Sequence, residues 1–270
     1  MIRDITIGQY YPVNSVLHRL DPRVKLVGTL IFLISLFLFD NFIGYVIAGL
    51  FLTTMIKISK VPFSFIVRGL KTIVVLMLFT VTFNLFLTEG QILWQWKFLK
   101  ITVEGIEFAV FMALRLVFLI IGSSLMTLTT TPNQLTDGLE TGLAPLKKLH
   151  VPVHEISMMM SIALRFIPIL LEETDKIMKA QQARGVDFEE GKLLDRVKAL
   201  VPVLVPLFVS AFRRANDLAM AMEARCYRGG EGRTRMKPLK YTKRDRMAYL
   251  CLVVYLVVLV GLTKLSGVFL

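Results

Sequence analysis

Between Leu26 and Ile56 the chain carries one charged side chain, Asp40. A helix needs about 20 consecutive apolar residues to cross a bilayer, so this run exceeds one span and reads as two short ones meeting at a tight turn at Asp40-Asn41. Three further apolar runs follow, Thr72 to Leu87, Glu104 to Leu128 and Met247 to Thr263. Apolar residues make up 55% of the 270, and the mean hydropathy is +0.64, well above soluble usage. The fold class is therefore an all-α integral membrane protein with about five transmembrane helices.

Basic residues choose the topology, because Lys and Arg concentrate in cytoplasmic loops. With the N-terminus, residues 57–71 and residues 129–246 placed in the cytoplasm, those segments hold 28 of the 32 Lys and Arg residues. Only Lys97, Lys100, Arg115 and Lys264 fall elsewhere. This gives a membrane domain at 1–128 with four spans, a cytoplasmic domain of amphipathic helices at 129–246, and a final transmembrane helix in 247–270 with its end outside. Between the third and fourth spans, ILWQWKFLKIT places two tryptophans suited to the membrane–water interface. The start, MIRDITIGQYYP, lacks the apolar core of a cleaved signal peptide. The net charge of +12 flanks spanning helices and so speaks for a lipid bilayer and against nucleic acid. Cys226 and Cys251 lie in unlike surroundings, which argues against a disulfide between them.

Residues 129–246 are too long for a loop and must form structure of their own. TTTPNQL is a turn signal before a short helix to Leu149, and Pro152 breaks the chain there. From Glu155 an apolar stripe runs through Ile156, Met159, Met160, Ala163, Ile167, Leu170, Leu171, Thr174, Ile177, Met178 and Gln181 in steps of three and four, one helix face. Pro168 should kink it. Glu172 with Lys176 and Asp175 with Lys179 are i,i+4 pairs on its polar half. A second stripe comprises Phe208, Ala211, Phe212, Ala215, Leu218, Ala219 and Met222. LVPVLVPLFV, between the two stripes, is broken by Pro202 and Pro206. It is too short for a span and reads as lying along the membrane or against another membrane subunit.

Both stripes end alike. Three residues beyond Gln181 is Arg184, in Ala183-Arg184-Gly185; three beyond Met222 is Arg225, in Ala224-Arg225-Cys226. An arginine at a helix C-terminus has a plain reading, since the macrodipole favours a cation there by roughly 0.3–1 kcal/mol. The duplication and the small neighbours point further. Ala183, Gly185 and Ala224 let a partner's backbone come close, while a guanidinium makes several directed hydrogen bonds, as an interface anchor does.

No catalytic or metal site is expected. GVDFEEGKL puts five residues between its glycines, where a phosphate-binding loop needs four, and has Leu193 for Ser or Thr. In HVPVHE, Met158 stands where a zinc-binding helix would carry its second histidine, and Pro152 keeps His150 and His154 off a common helix face. Asp137-Gly138 is isolated. Arg115, inside the fourth span, is costly in lipid and must face protein, water or a partner; Glu107 is a candidate counter-ion, and contact with a substrate-binding subunit is the other reading.

Three parts of the chain resemble the transmembrane T component (EcfT) of energy-coupling factor transporters. These are LTTTPNQLTDGLETGLAPLKKLHVPVHEISMMMSIALRFIPILLEETDKIMKAQQARG, the opening GQYYPVNSVLHRLDPRVKL, and the second Ala-Arg motif. The resemblance spans nearly the whole chain. It implies a non-catalytic coupling subunit for uptake of a vitamin or other micronutrient, bound to two ABC-type ATPases and an exchangeable membrane-embedded S component. It implies no cofactor in this chain, with ATP and Mg held by the ATPases. The motifs at 183–185 and 224–226 would dock one on each ATPase; Cys226 departs from the glycine common there. Met159, Met160, Ala163, Phe208, Phe212 and Met222 would grip the S component. The family also includes dedicated cobalt or nickel subunits. Outside it, the alternatives are a self-contained permease, for which the spans offer chiefly Arg115, Asn84 and scattered Thr, and a membrane-embedded lipid enzyme using His150, His154 and Asp137.

Overall fold

A computed structural model describes residues 10–88, 90–96, 99–188, 193–230 and 238–265. The described elements are helical apart from one short β-hairpin. The described residues divide into two compact units, one within 10–142 and 239–265, the other within 143–230.

The first unit holds α1 (Pro22–Ser35), α2 (Phe42–Ser59), α3 (Phe63–Leu87), β1 (Ile92–Trp96), β2 (Leu99–Thr102), α4 (Val103–Thr129), α5 (Pro132–Gly142) and α8 (Lys243–Leu265). Pro22 suits a first helical position, where its missing N–H costs nothing, and the Asp21 side chain caps α1 by accepting from Arg23 N. α2, α4 and α8 are long and apolar enough to cross a membrane, and α3 qualifies as one span bent by 60° between Lys71 and Ile73. With 14 residues, α1 is shorter than a full crossing needs. The turn expected at Asp40-Asn41 is present: α1 is capped at Leu36 and α2 begins after Asn41.

α1, α2, α4 and α8 meet around Phe32, Leu36, Ala48, Leu52, Ile121, Leu125, Tyr255 and Leu259, all buried. Phe51 stacks on Tyr255 with ring centres 4.3 Å apart, and the Tyr255 hydroxyl is 2.9 Å from Ser35 Oγ. The segment before α1 is tied to the end of α4 by Tyr11 N–H donating to Leu128 O at 2.9 Å.

Two further features complete this unit. ILWQW and LKIT pair as the antiparallel strands β1 and β2, because their β-branched and aromatic residues favour strands. The helix after TTTPNQL, α5, packs on α1 and belongs to the first unit. Gly138 comes so close to α1 that a Cβ would meet Leu26 Cδ1 at 3.1 Å.

The second unit holds a 3₁₀ turn (Ala144–Leu149), α6 (Val153–Ala183) and α7 (Leu193–Ala224). By length and composition α6 also qualifies as a span, although the sequence placed it in the cytoplasm. Its apolar part lies before Leu171, whereas Glu172, Glu173, Asp175, Lys176 and Lys179 crowd the following two turns. LVPVLVPLFV lies within α7, so it is not a separate segment: Pro202 and Pro206 are both inside one continuous helix of 32 residues.

Candidate functional site

α6 and α7 run antiparallel, as three contacts spaced along them establish. Near one end, Gln181 Nε2 donates to Pro202 O at 3.3 Å. At mid-length, Glu173 accepts from Ser210 Oγ and from Arg214, each at 2.6 Å. Towards the other end, Ile162 and Phe166 face Leu218, Ala219 and Met222 across a crevice of about 300 Å³. The first contact also explains how α7 tolerates Pro206. Pro206 has no N–H to give the Pro202 carbonyl four residues back, and the Gln181 amide supplies the missing donor.

Because the helices are antiparallel, the two Ala-Arg motifs lie at opposite ends of the pair. The residues between the Pro202 level and Arg225, at 1.5 Å rise each, separate them by roughly 35 Å. Their backbones are nevertheless the same. After α6, Gly185 N–H donates to Gln182 O at 2.9 Å and Val186 N–H to Gln181 O at 3.1 Å. After α7, Cys226 N–H donates to Glu223 O at 2.9 Å and Tyr227 N–H to Met222 O at 3.1 Å. This double bond pattern is the Schellman ending, which demands a left-handed residue after the helix. Gly185 takes φ 89° and Cys226 φ 55°. A glycine does this without cost, whereas the Cys226 side chain adds roughly 1–2 kcal/mol of strain.

The ending turns the chain sharply away and leaves the arginine at the tip. Arg184 and Arg225 are both exposed, and among the described residues neither guanidinium makes a hydrogen bond or ion pair. The second tip has an additional fastening. Gly230, five residues after Arg225, packs so closely on His154 in the first turn of α6 that a Cβ would lie 2.5 Å from the ring. Sequence reasoning missed this contact; the Gly229-Gly230 pair was its only signal.

The apolar candidates divide. Met159, Met160, Ala163, Phe208 and Phe212 are exposed; Phe212 is 68% accessible. Met222 instead lines the α6–α7 crevice with Ala211, Ala215 and Leu218. On α6 the face turned to α7 is Ile162, Phe166 and Leu170, of which Leu170 belongs to the stripe read from the sequence and Ile162 and Phe166 do not. Of the two expected i,i+4 pairs, Asp175–Lys179 forms at 2.7 Å.

Among the described residues no group of three His, Cys, Asp or Glu side chains could hold a metal ion. His150 is exposed in the turn before α6 at φ 60°, His154 packs on Gly230, and Asp137 is on α5 in the first unit. The described cysteines, Cys226 and Cys251, are both free and exposed. In the first unit, Arg115 pairs with Asp40, donates to Phe39 O at 3.3 Å and sits 5.3 Å from the Phe37 ring centre. Its counter-ion is thus Asp40 in the α1–α2 turn and not Glu107, which lies two turns before it on its own helix.

Residues 13–236 match the family model described as "Cobalt transport protein", CbiQ. The chain is 59% identical over 256 residues to the energy-coupling factor transporter transmembrane protein EcfT of Clostridium kluyveri, covering 94% of this chain and 95% of that one. It is 52% identical to the protein of the same description from Bacillus subtilis, covering 94% and 96%. To that of Lactococcus lactis it is 44% identical over 266 residues, covering 98% and 100%.

Proposed function

The chain belongs to the family of energy-coupling factor transporter transmembrane proteins, and we propose that α6 and α7 are its coupling device. In this reading Arg184 and Arg225 each seat in one of two ABC-type ATPase subunits, which hold ATP and Mg. The chain itself is non-catalytic and binds neither. Its N-terminus and the α6–α7 region face the cytoplasm. Closure of the ATPases on ATP draws the two tips, and nucleotide release lets them part. The exposed faces around Met159, Met160, Ala163, Phe208 and Phe212 carry that shift to an exchangeable S component that binds the vitamin or other micronutrient.

The observation that carries this reading is the pair of identical helix endings, each presenting an exposed arginine, held at opposite ends of one antiparallel pair. Two separate tips suit two separate ATPases. A favourable cation at a helix terminus explains each arginine singly but not the matched endings or the small flanking residues. The test is copurification of the tagged full chain from its native membrane. Two ATPases and a small membrane subunit should come with it; a chain that transports or turns over substrate alone would make it a permease or a lipid enzyme instead.

One observation favours a second reading of the cargo. The matched family model carries the description of a cobalt transport protein, so a dedicated cobalt or nickel importer is the alternative. Uptake assays with cobalt, nickel and vitamins on the assembled transporter separate the two.

A further inference from the structure

The first unit contains a cavity of about 460 Å³, within the range of ligand pockets, bounded by the N-terminal halves of α1 and α8 and the C-terminal halves of α2 and α4. These helices alternate in direction, so the four ends converge at one end of the bundle. That end also carries Arg19, Arg23, Lys57 and Lys60. The wall is mainly apolar, with Phe32, Leu52, Leu125 and Leu252 among its residues; the charged residues lining it are Lys25 and Arg244.

Lys25 is 8% accessible and donates to Thr129 O at 2.8 Å and His18 O at 3.2 Å, which leaves a third N–H of its ammonium. Arg244 is exposed. The nearby carboxylates do not line the cavity and are already engaged. Asp245 accepts from Asp21 N, Thr242 N and Thr242 Oγ1, and Asp21 accepts from Arg23 N. An apolar throat with two cations therefore opens at the basic end of a membrane bundle. A soluble anion would leave the throat unfilled, and a neutral lipid would leave the cations unmatched. Basic pockets between transmembrane helices recognise acidic headgroups.

We propose that this cavity holds an acyl chain of an anionic phospholipid whose headgroup is bound by Lys25 and Arg244. Ala248, on the cavity wall, is small enough that tryptophan there fills the throat, while Leu250 on the same helix is 66% accessible and lies outside it.

The test uses the full chain with its copurifying subunits, in nanodiscs containing equal phosphatidylglycerol and phosphatidylcholine, extracted and read by native mass spectrometry. The unaltered protein should retain phosphatidylglycerol over phosphatidylcholine by about tenfold. Arg244→Glu should abolish that preference, Ala248→Trp should remove the retained lipid, and Leu250→Trp should change neither. Equal retention of both lipids by the unaltered protein overturns the proposal, as does absence of retained lipid. Undiminished retention in Ala248→Trp would mark the lipid as merely annular and overturns it equally. Arg244→Glu alters an exposed position, so the test does not depend on the tryptophan variant folding.

Discussion

Glu173 on α6 is bonded at 2.6 Å to Arg214 on α7, and its other carboxylate oxygen accepts from Ser210 Oγ at the same distance. The two bonds pin the middle of the helix pair, and the carboxylate is held below its ordinary protonation range by those donors. If the ends move under load as proposed, such a fixed point keeps the load from separating the helices. Glu173→Ala should therefore reduce uptake severalfold while leaving the complex assembled. Both side chains are partly wet, so a double-mutant cycle with Arg214→Ala should give a coupling of about 1 kcal/mol or less. Unchanged uptake in Glu173→Ala would remove the pair from the mechanism.

Cys226 takes a left-handed φ of 55° at the Schellman position after α7, where the matching position after α6 is Gly185. Cys226→Gly should raise the stability of the α7 end by about 1 kcal/mol, and Cys226→Val should lower it by at least as much. Thermal unfolding of the two variants checks this, and a destabilised glycine variant would contradict the backbone assignment.

Arg115 is largely enclosed and its charge is matched by Asp40. Asp40→Asn should destabilise the membrane unit by about 2 kcal/mol, because it leaves the guanidinium without its counter-ion. Asp40→Asn combined with Arg115→Leu should recover most of that loss. Denaturation in mixed micelles would reveal whether the pair or only the arginine matters.

His18 ties the segment before α1 together. Its Nε2–H donates to Tyr11 O at 3.0 Å, so Nδ1 is the acceptor for the Ser15 hydroxyl at 2.7 Å. Burial, with help from the Lys25 ammonium, holds the imidazole below its ordinary value of 6.5. The unfolded chain then binds the proton more readily than the folded one. Stability from this site is present above pH 6.5 and is lost as pH falls through the lower folded value. His18→Gln should flatten the fall in melting temperature measured between pH 7 and pH 5.

Much of this architecture is legible in the residues. The apolar runs locate α2, α4 and α8, and steps of three and four carry α6 to Gln181 and thence to Arg184, with Gly185 announcing the left-handed stop. Cys226 announces nothing, since cysteine is not a turn residue; only the second unit's backbone reveals that it copies Gly185. Pro202 and Pro206 ordinarily argue against a helix interior, and the carbonyl that Pro206 orphans is met by a donor from Gln181, on another helix and 21 residues before Pro202. Asp40 and Arg115 are 75 residues apart, so their pairing needs the fold, whereas Glu107 was the nearest acid along the helix. Periodicity finds the apolar faces of α6 and α7 but does not say which part of each turns to the other. That is why Met222 was grouped with Phe208 and Phe212 although it lines the seam between the helices.

The most direct measurement is vitamin and metal-ion uptake by the reconstituted transporter carrying Arg184→Glu, Arg225→Glu or both, with ATPase retention measured in the same preparations. Each reversal should abolish uptake and weaken retention of one ATPase, the double variant should lose both ATPases, and the membrane helices should remain folded throughout. Full uptake with both ATPases retained in the double variant would contradict the assignment of these two arginines as the coupling tips.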